Sequence, residues 1–238
     1  MNYWNKRLLD HWNDSIFDPY RDKCFGMFCQ GSQNHGLASE TSDMDTIAIL
    51  FPTVWEIANL KKPISKELHR LNGEHITLID YRLFLQRLRK MNPSCLEVLY
   101  TYYYYYNPKF KDSSLYWIFE HRDEIAHASE YGFLKSISGM AKTYFNTRNM
   151  SETKKKRNLY HLNWMVSEYL FQQPEVIFSS RNWDKNRLDL YLSSKSAERI
   201  LNHINKNIDI QLKACKEPNK VVMSTIDGIA QMVLMEEI

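Results

Sequence analysis

The sequence has no long hydrophobic run. No window approaches the roughly 18 apolar residues of a membrane-spanning helix, and the N-terminal stretch MNYWNKRLLDHW has no apolar segment of signal-peptide length. An excess of one charge is also lacking, since 31 lysines and arginines stand against 28 acidic residues. We therefore expect a cytoplasmic protein without membrane contact, which binds any polyanion through a local basic patch.

Cysteine is scarce and shows no metal-binding spacing. The four thiols belong to Cys24, Cys29, Cys95 and Cys215. The first two lie in an apolar run that is typical of a buried strand. Free thiols are therefore expected, rather than a disulfide framework or a zinc site.

Glycine is scarce as well, and its placement is informative. Only seven glycines occur in the chain, yet two lie in GSQNHGLASETSDMDTIAIL, residues 31–50. The preceding segment KCFGMFCQ, residues 23–30, predicts a buried strand that stops at Gly31. MDTIAIL at 44–50 predicts a second strand, and EHITLI at 74–79 predicts a third.

The remaining pattern is largely helical. DYRLFLQRLRKM has apolar residues at helical spacing behind Asp80, a suitable N-cap, and Asn92-Pro93 ends that helix and opens another. Beyond residue 112 the strand signals fade and helical periodicity dominates. We predict an α+β fold, with a mixed β-sheet and helices at 1–111, an all-helical half at 112–238, and a cleft between them.

The run YYYYY, Tyr102–Tyr106, favours a strand over a helix. Alternation along a strand places Tyr103 and Tyr105 on one face. One hypothesis makes that face a stacking platform for nucleic-acid bases. The simpler interpretation is an amphipathic strand whose rings pack within the protein.

The loop after the first strand and the start of the second have the parts of a phosphate and metal site. Gly31 lets backbone N–H groups approach a phosphate without a side chain in the way, and Ser32 adds a hydroxyl donor. Asp43 and Asp45 are two residues apart on a predicted strand, so their carboxylates leave the same face. Like charges this close repel each other, and a divalent cation, Mg²⁺ or Mn²⁺, offsets that repulsion.

These residues resemble the signature of the DNA-polymerase-beta nucleotidyltransferase superfamily, Gly-Ser followed by Asp-x-Asp. The wider segments GSQNHGL, SDMD and MNPSCLEVLYT, and more weakly KKKRNLYHLNWM, are similar to the bacterial and phage nucleotidyltransferases associated with RNA repair. The resemblance implies transfer of a nucleoside monophosphate from an NTP to a hydroxyl acceptor, RNA or a tRNA end, with release of pyrophosphate. It implies that Gly31 and Ser32 hold the β- and γ-phosphates and that Asp43 and Asp45 are catalytic metal ligands.

One position departs from the family pattern. Family members have a third carboxylate on a neighbouring strand, and the aligned position in EHITLID is His75, which is the predicted catalytic residue there. Glu74 lies next to it but on the opposite face of a regular strand, and Asp80 is more simply a helix cap. The third ligand is therefore His75, Glu74 or Asp80, or it is absent and turnover is impaired.

Three further residues are candidate nucleotide-binding residues: Lys142, Arg157 and His161. Arg157 ends a basic run, Lys154–Arg157, at the start of a predicted helix, where positive charge opposes the helix dipole. Two interpretations of this run have equal weight. The run contacts a triphosphate or an RNA backbone, or it is a solvated helix start. For His161 a structural role is the simpler interpretation.

Three functions are compatible with these patterns. The first is metal-dependent nucleotidyl transfer to RNA. The second keeps the chemistry but uses a protein hydroxyl as the acceptor, as in antitoxin-type adenylyltransferases, whose minimal domains are usually shorter. The third is a catalytically silent nucleotide- or RNA-binding module, which the missing third carboxylate favours.

Overall fold

The computed structural model describes residues 2–36, 38, 42–179 and 185–236. It confirms the predicted α+β class, since a five-stranded mixed sheet is followed by a helical C-terminal part. The strands are β1 (Cys24–Gln30), β2 (Asp45–Leu50), β3 (Ser65–His69), β4 (His75–Asp80) and β5 (Tyr104–Tyr106). The helices are α1 (Tyr3–Trp12), α2 (Asp18–Arg21), α3 (Val54–Ala58), α4 (Tyr81–Arg89), α5 (Pro93–Tyr100), α6 (Tyr116–Glu120), α7 (Arg122–Ala126), α8 (Glu130–Asn146), α9 (Glu152–Glu168), α10 (Pro174–Ser179), α11 (Lys185–Ser194), α12 (Ala197–Leu212) and α13 (Lys220–Glu236).

The strand order of the sheet is β3-β4-β2-β1-β5. β1 and β2 are antiparallel, with Gln30 opposite Asp45, while β2 runs parallel to β4, with Asp45 opposite His75. β3 pairs antiparallel with β4 and places Glu67 opposite Thr77. Because paired residues point to the same face of a sheet, these five side chains share one face near the start of β2.

The three strands predicted from the sequence correspond to β1, β2 and β4 within one residue at each end. The predicted caps are also present. Asp80 accepts a hydrogen bond from the backbone N–H of Arg82, and Asn92 accepts one from the backbone N–H of Cys95. β3 is the strand that the sequence does not predict, because SKELH is short and polar.

A hydrophobic core lies on each face of the sheet. Ile47 of β2 belongs to the larger core, which the helices of the C-terminal part complete. Ala48 belongs to the smaller core, where α1 packs through Trp12. The larger core includes side chains from both sides of position 111, and Phe28 stacks on Phe119 with 5.1 Å between ring centroids. The boundary between the two predicted domains stays a prediction.

The tyrosine run forms a strand only in its second half, β5. Tyr103 is 6% exposed, and Tyr105 packs against Trp12 with 4.5 Å between ring centroids. The face suggested for base stacking is therefore covered by the smaller core. This confirms the simpler interpretation, an amphipathic strand with packed rings.

The cysteines are free thiols, as expected from their spacing. Burial raises the pKa of Cys29 and that of Cys95 to about 12, so both are protonated at neutral pH. Within the described ranges, no helix has the length and apolar character needed to cross a membrane.

Candidate functional site

A cavity of about 470 Å³ lies between the sheet and the helices of the C-terminal part. Its walls come from the loop after β1, the first residue of β2, strands β3 and β4, and helices α5, α8 and α9. The residues predicted for phosphate and metal contact all line it, together with His75. They are Gly31, Ser32, Asp43 and Asp45.

The Gly-Ser turn has a fixed backbone. Gly31 directly follows β1 and has φ of +82°, a conformation that costs a residue with a side chain about 1–2 kcal/mol. Asn34 holds the loop from behind. Its Nδ2 donates to the carbonyl of Cys29 at 3.1 Å, and its Oδ1 accepts from the hydroxyl of Thr101 at 2.6 Å. Ser32 is therefore presented to the cavity by an ordered turn.

Asp43 and Asp45 reach the cavity from the start of β2. Asp45 is the first residue of the strand and Asp43 lies just before it. Desolvation by the surrounding protein raises the pKa of Asp45. The positive fields of His75 and Lys154 lower this pKa, and the negative charges of Asp43 and Glu67 raise it. Several carboxylates thus interact at one place, an arrangement that a divalent cation stabilises.

Glu74, a sequence candidate for the third ligand, lies on the side of the sheet opposite the cavity. It is 2% exposed and forms ion pairs with Arg7 and with Arg70. It also contacts the ring of His11 at 3.0 Å and accepts a hydrogen bond from the backbone N–H of Met44 at 3.1 Å. These partners hold Glu74 in a structural network, and it does not line the cavity.

Asp80, the other carboxylate candidate, caps α4. It accepts the backbone N–H of Arg82 at 2.9 Å and pairs with the guanidinium of the same residue at 2.7 Å. The helix-cap interpretation is confirmed, and Asp80 is not among the residues that line the cavity.

The third acidic side chain of this part of the cavity is Glu67 of β3, which the sequence analysis missed. Its register opposite Thr77 puts it on the same face as His75. One ligand atom each from Glu67, His69 and His75 lies within 4.8 Å of the others, and the two rings approach to 3.2 Å between their Nδ1 atoms. The only signal in SKELH is the alternation of Glu67 and His69, and pairing with β4 is what brings Glu67 to the cavity.

The basic side chains at the cavity come from α9. Lys154 and Arg157 both line it, and Lys154 is close enough to Asp45 to lower its pKa. The structure corrects the placement of Lys142, which is exposed on α8 and does not line the cavity. Met140 of the same helix faces the cavity instead.

His161 lines the cavity within a cluster that also contains His35 and Glu97. The ring centroids of the two histidines are 4.2 Å apart. Burial, and then the positive field of His35, hold the pKa of His161 well below its usual range. His35 and Glu97 belong to the segments GSQNHGL and MNPSCLEVLYT, but no spacing along the chain links them, so the sequence does not predict the cluster.

Comparison with models of protein families and with curated proteins finds no match for this chain. Membership of the nucleotidyltransferase superfamily therefore stays a prediction. Any function assigned to the chain has to follow from the cavity and its side chains.

Proposed function

We propose that this protein is a metal-dependent nucleotidyltransferase, which transfers a nucleoside monophosphate from an NTP to a hydroxyl group of RNA. One observation carries the proposal. Three carboxylates from two strands and the loop before one of them, those of Asp43, Asp45 and Glu67, line the same cavity as the Gly31–Ser32 turn.

The acidic side chains fit a divalent cation. Carboxylate oxygens are the ligands that Mg²⁺ and Mn²⁺ prefer. In the described part of the chain, none of the three carboxylates forms an ion pair with a lysine, arginine or histidine. Asp43, Asp45 and Glu67 would hold the metal, which supplies charge stabilisation to the triphosphate and to the reacting phosphoryl group.

The opposite charge needed for a triphosphate is also present. The backbone N–H groups of the Gly31 turn and the hydroxyl of Ser32 are donors for phosphate oxygens. Lys154 and Arg157 are exposed cations of α9 that line the same cavity. Charge-assisted hydrogen bonds from these two side chains would orient the phosphates.

The reaction assigned to this site balances without a further reagent. The hydroxyl oxygen of the acceptor forms a bond to the α-phosphorus, and the bond from that phosphorus to its bridging oxygen breaks, so that pyrophosphate leaves. The hydroxyl proton passes to a carboxylate. We assign this base role to Glu67, because the edge strand β3 leaves its side chain exposed to an incoming acceptor.

RNA as the acceptor is supported by the position of the basic run. Lys154 and Arg157 are exposed at the cavity, where they can contact a second phosphate backbone as well as the triphosphate. Each phosphate contact of this kind adds to the salt dependence of binding.

The test is incorporation of label from α-phosphate-labelled NTPs into RNA in the presence of Mg²⁺ or Mn²⁺. We expect incorporation with release of pyrophosphate, and a loss on the order of 10³-fold in Asp45→Asn. Asp112→Asn is the matched control, because it makes the same charge change at an exposed position outside the cavity. Label in a protein instead of RNA supports the adenylyltransferase alternative, and binding without transfer supports the silent module. Absence of NTP binding rejects both transfer reactions, and absence of RNA binding as well rejects the silent module.

A further inference from the structure

A second group of metal-ligating side chains lies in the same cavity, away from the Asp-x-Asp segment in sequence. His35 belongs to the loop after β1, Glu97 to α5 and His161 to α9. All three line the cavity. Since three separate elements converge here, the cluster is a product of tertiary structure.

The distances within the cluster suit a common ligand. The Nε2 atom of His35 lies 3.3 Å from Oε1 of Glu97, and the Nε2 atom of His161 lies 3.8 Å from the same oxygen. One ligand atom of each residue lies within 4.8 Å of the other two. Two ligand atoms on a tetrahedral zinc ion, with bonds of about 2.0 Å, are separated by about 3.3 Å. The observed separations of 3.3 and 3.8 Å are close to that value.

The donor set selects a different metal from the one at the aspartates. Two imidazole nitrogens and one carboxylate oxygen are typical of Zn²⁺ and related transition-metal ions. Asp43, Asp45 and Glu67 offer only oxygens, which suit Mg²⁺. Glu67 can also form a two-histidine, one-carboxylate set with His69 and His75, so the two groups have to be separated by substitution as well as by metal.

Charge provides an independent reason for a cation at this cluster. Glu97 is 9% exposed, and burial of a carboxylate is unfavourable unless a positive charge or several donors compensate it. Among the residues that the structure describes, its ion-pair partners within 4 Å are imidazoles, and no lysine or arginine takes that place. A divalent ion between the three side chains would supply a positive charge that does not depend on protonation of the imidazoles.

We propose that His35, Glu97 and His161 form a binding site for a divalent transition metal of the zinc type. Because His35 lies in the same loop as Gly31 and Ser32, the metal fastens the phosphate-binding turn to α5 and α9. This metal site does not depend on the transfer reaction, since its ligands are separate from Asp43, Asp45 and Glu67.

The test uses the full chain, stripped of metal with a chelator and titrated with Co²⁺ in excess Mg²⁺. The Mg²⁺ occupies oxygen-only sites, and Co²⁺ bound by imidazole gives visible ligand-field absorption. We expect one equivalent of Co²⁺ per chain, displaced by Zn²⁺, and a loss of at least tenfold in affinity in Glu97→Gln and in His161→Asn. The double variant His69→Asn, His75→Asn removes the imidazoles beside Glu67, and His203→Asn changes an exposed histidine of α12. Both should retain the full equivalent.

Two further arms keep the test decisive. The double variant Asp43→Asn, Asp45→Asn should bind Co²⁺ like the wild type, which separates failure of this site from failure of the proposed transfer. Zn²⁺ should raise the thermal midpoint of the wild type but not that of Glu97→Gln, so the wild-type shift reports binding even if a variant folds poorly. Absence of Co²⁺ binding by the wild type would overturn the proposal. So would binding that is lost in the double aspartate variant and kept in Glu97→Gln.

Discussion

Glu74 and His75 are consecutive residues, yet they belong to two chemically opposite sides of the sheet. On the side of α1, the carboxylate of Glu74 is surrounded by Arg7, Arg70 and the ring of His11. On the cavity side, three carboxylates interact beside His75. In the described ranges they form no ion pairs, and the fields of His75 and Lys154 oppose the charge of Asp45.

The difference indicates which side of the sheet has a structural role and which side has a chemical role. A buried charge whose partners are all supplied by the protein is costly to unpair and has little capacity for a ligand. A group of like charges with few internal partners raises the pKa of its members and becomes stable when a cation arrives. Glu74 belongs to the first class. Asp45, whose pKa is raised first by burial and then by the charges of Asp43 and Glu67, belongs to the second.

The most direct test of this difference is to replace one glutamate on each side of the sheet with glutamine. Glu74→Gln leaves the guanidinium of Arg7 without its carboxylate and leaves Arg70 with that of Asp14 alone. We expect the free energy of unfolding to fall by about 3 kcal/mol. Glu67→Gln is a matched change at an exposed position, and we expect a loss below about 0.5 kcal/mol, together with loss of nucleotidyl transfer. Urea unfolding of both variants measures the difference. Equal destabilisation by the two substitutions would contradict the division between the sides.

The α1 side should also respond to acid. Burial, with the positive fields of Arg70 and Arg7, lowers the pKa of His11 to about 3. Its Nδ1 lies 2.9 Å from the hydroxyl of Thr46 and its Nε2 lies 3.0 Å from Glu74, which suits a neutral ring that accepts from the hydroxyl and donates to the carboxylate.

As pH falls below about 6.5, the unfolded chain binds a proton at His11 and the folded chain does not. Stability should therefore decrease on acidification from about pH 6.5 towards pH 3, by up to about 1.4 kcal/mol per pH unit from this residue. Urea unfolding at pH 6.5, 5.5 and 4.5 measures the slope, and His11→Gln should have a shallower one. A steeper slope in His11→Gln would show that His11 is charged in the folded state.

A smaller effect should separate the two lysines that were considered for nucleotide contact. Lys154→Ala removes a cation at the cavity, so we expect an increase in KM for NTP of about threefold to tenfold, in line with a loss of about 1 kcal/mol. Lys142→Ala removes an exposed cation of α8 and should leave KM within about twofold. Steady-state kinetics at two salt concentrations makes the measurement. A larger effect of Lys142→Ala than of Lys154→Ala would indicate that the nucleotide binds away from α9.

Much of the fold could be predicted from local sequence. β1, β2 and β4 are apolar runs bounded by turns, and the caps Asp80 and Asn92 follow from side-chain chemistry that acts within three residues. The Gly31 turn and the pair Asp43 and Asp45 could be predicted for the same reason, because each part of that site is local along the chain.

The rest of the site depends on pairing and packing between distant segments. Glu67 reaches the cavity only because β3 pairs with β4 in one register, and SKELH has little strand propensity of its own. His35 and Glu97 meet 62 positions apart in sequence. From the sequence, Lys142 and Lys154 are both plausible nucleotide-binding residues. Only the packing of α8 and α9 decides which of them faces the cavity.

The most direct test of the cavity's role is calorimetric titration with a non-hydrolysable NTP analogue, with and without Mg²⁺. Wild type and Asp112→Asn should bind the analogue only when Mg²⁺ is present, and Asp45→Asn should bind it about tenfold or more weakly. Binding that is independent of Mg²⁺, or equally strong in Asp45→Asn, would contradict the assignment of these carboxylates to a metal and a triphosphate.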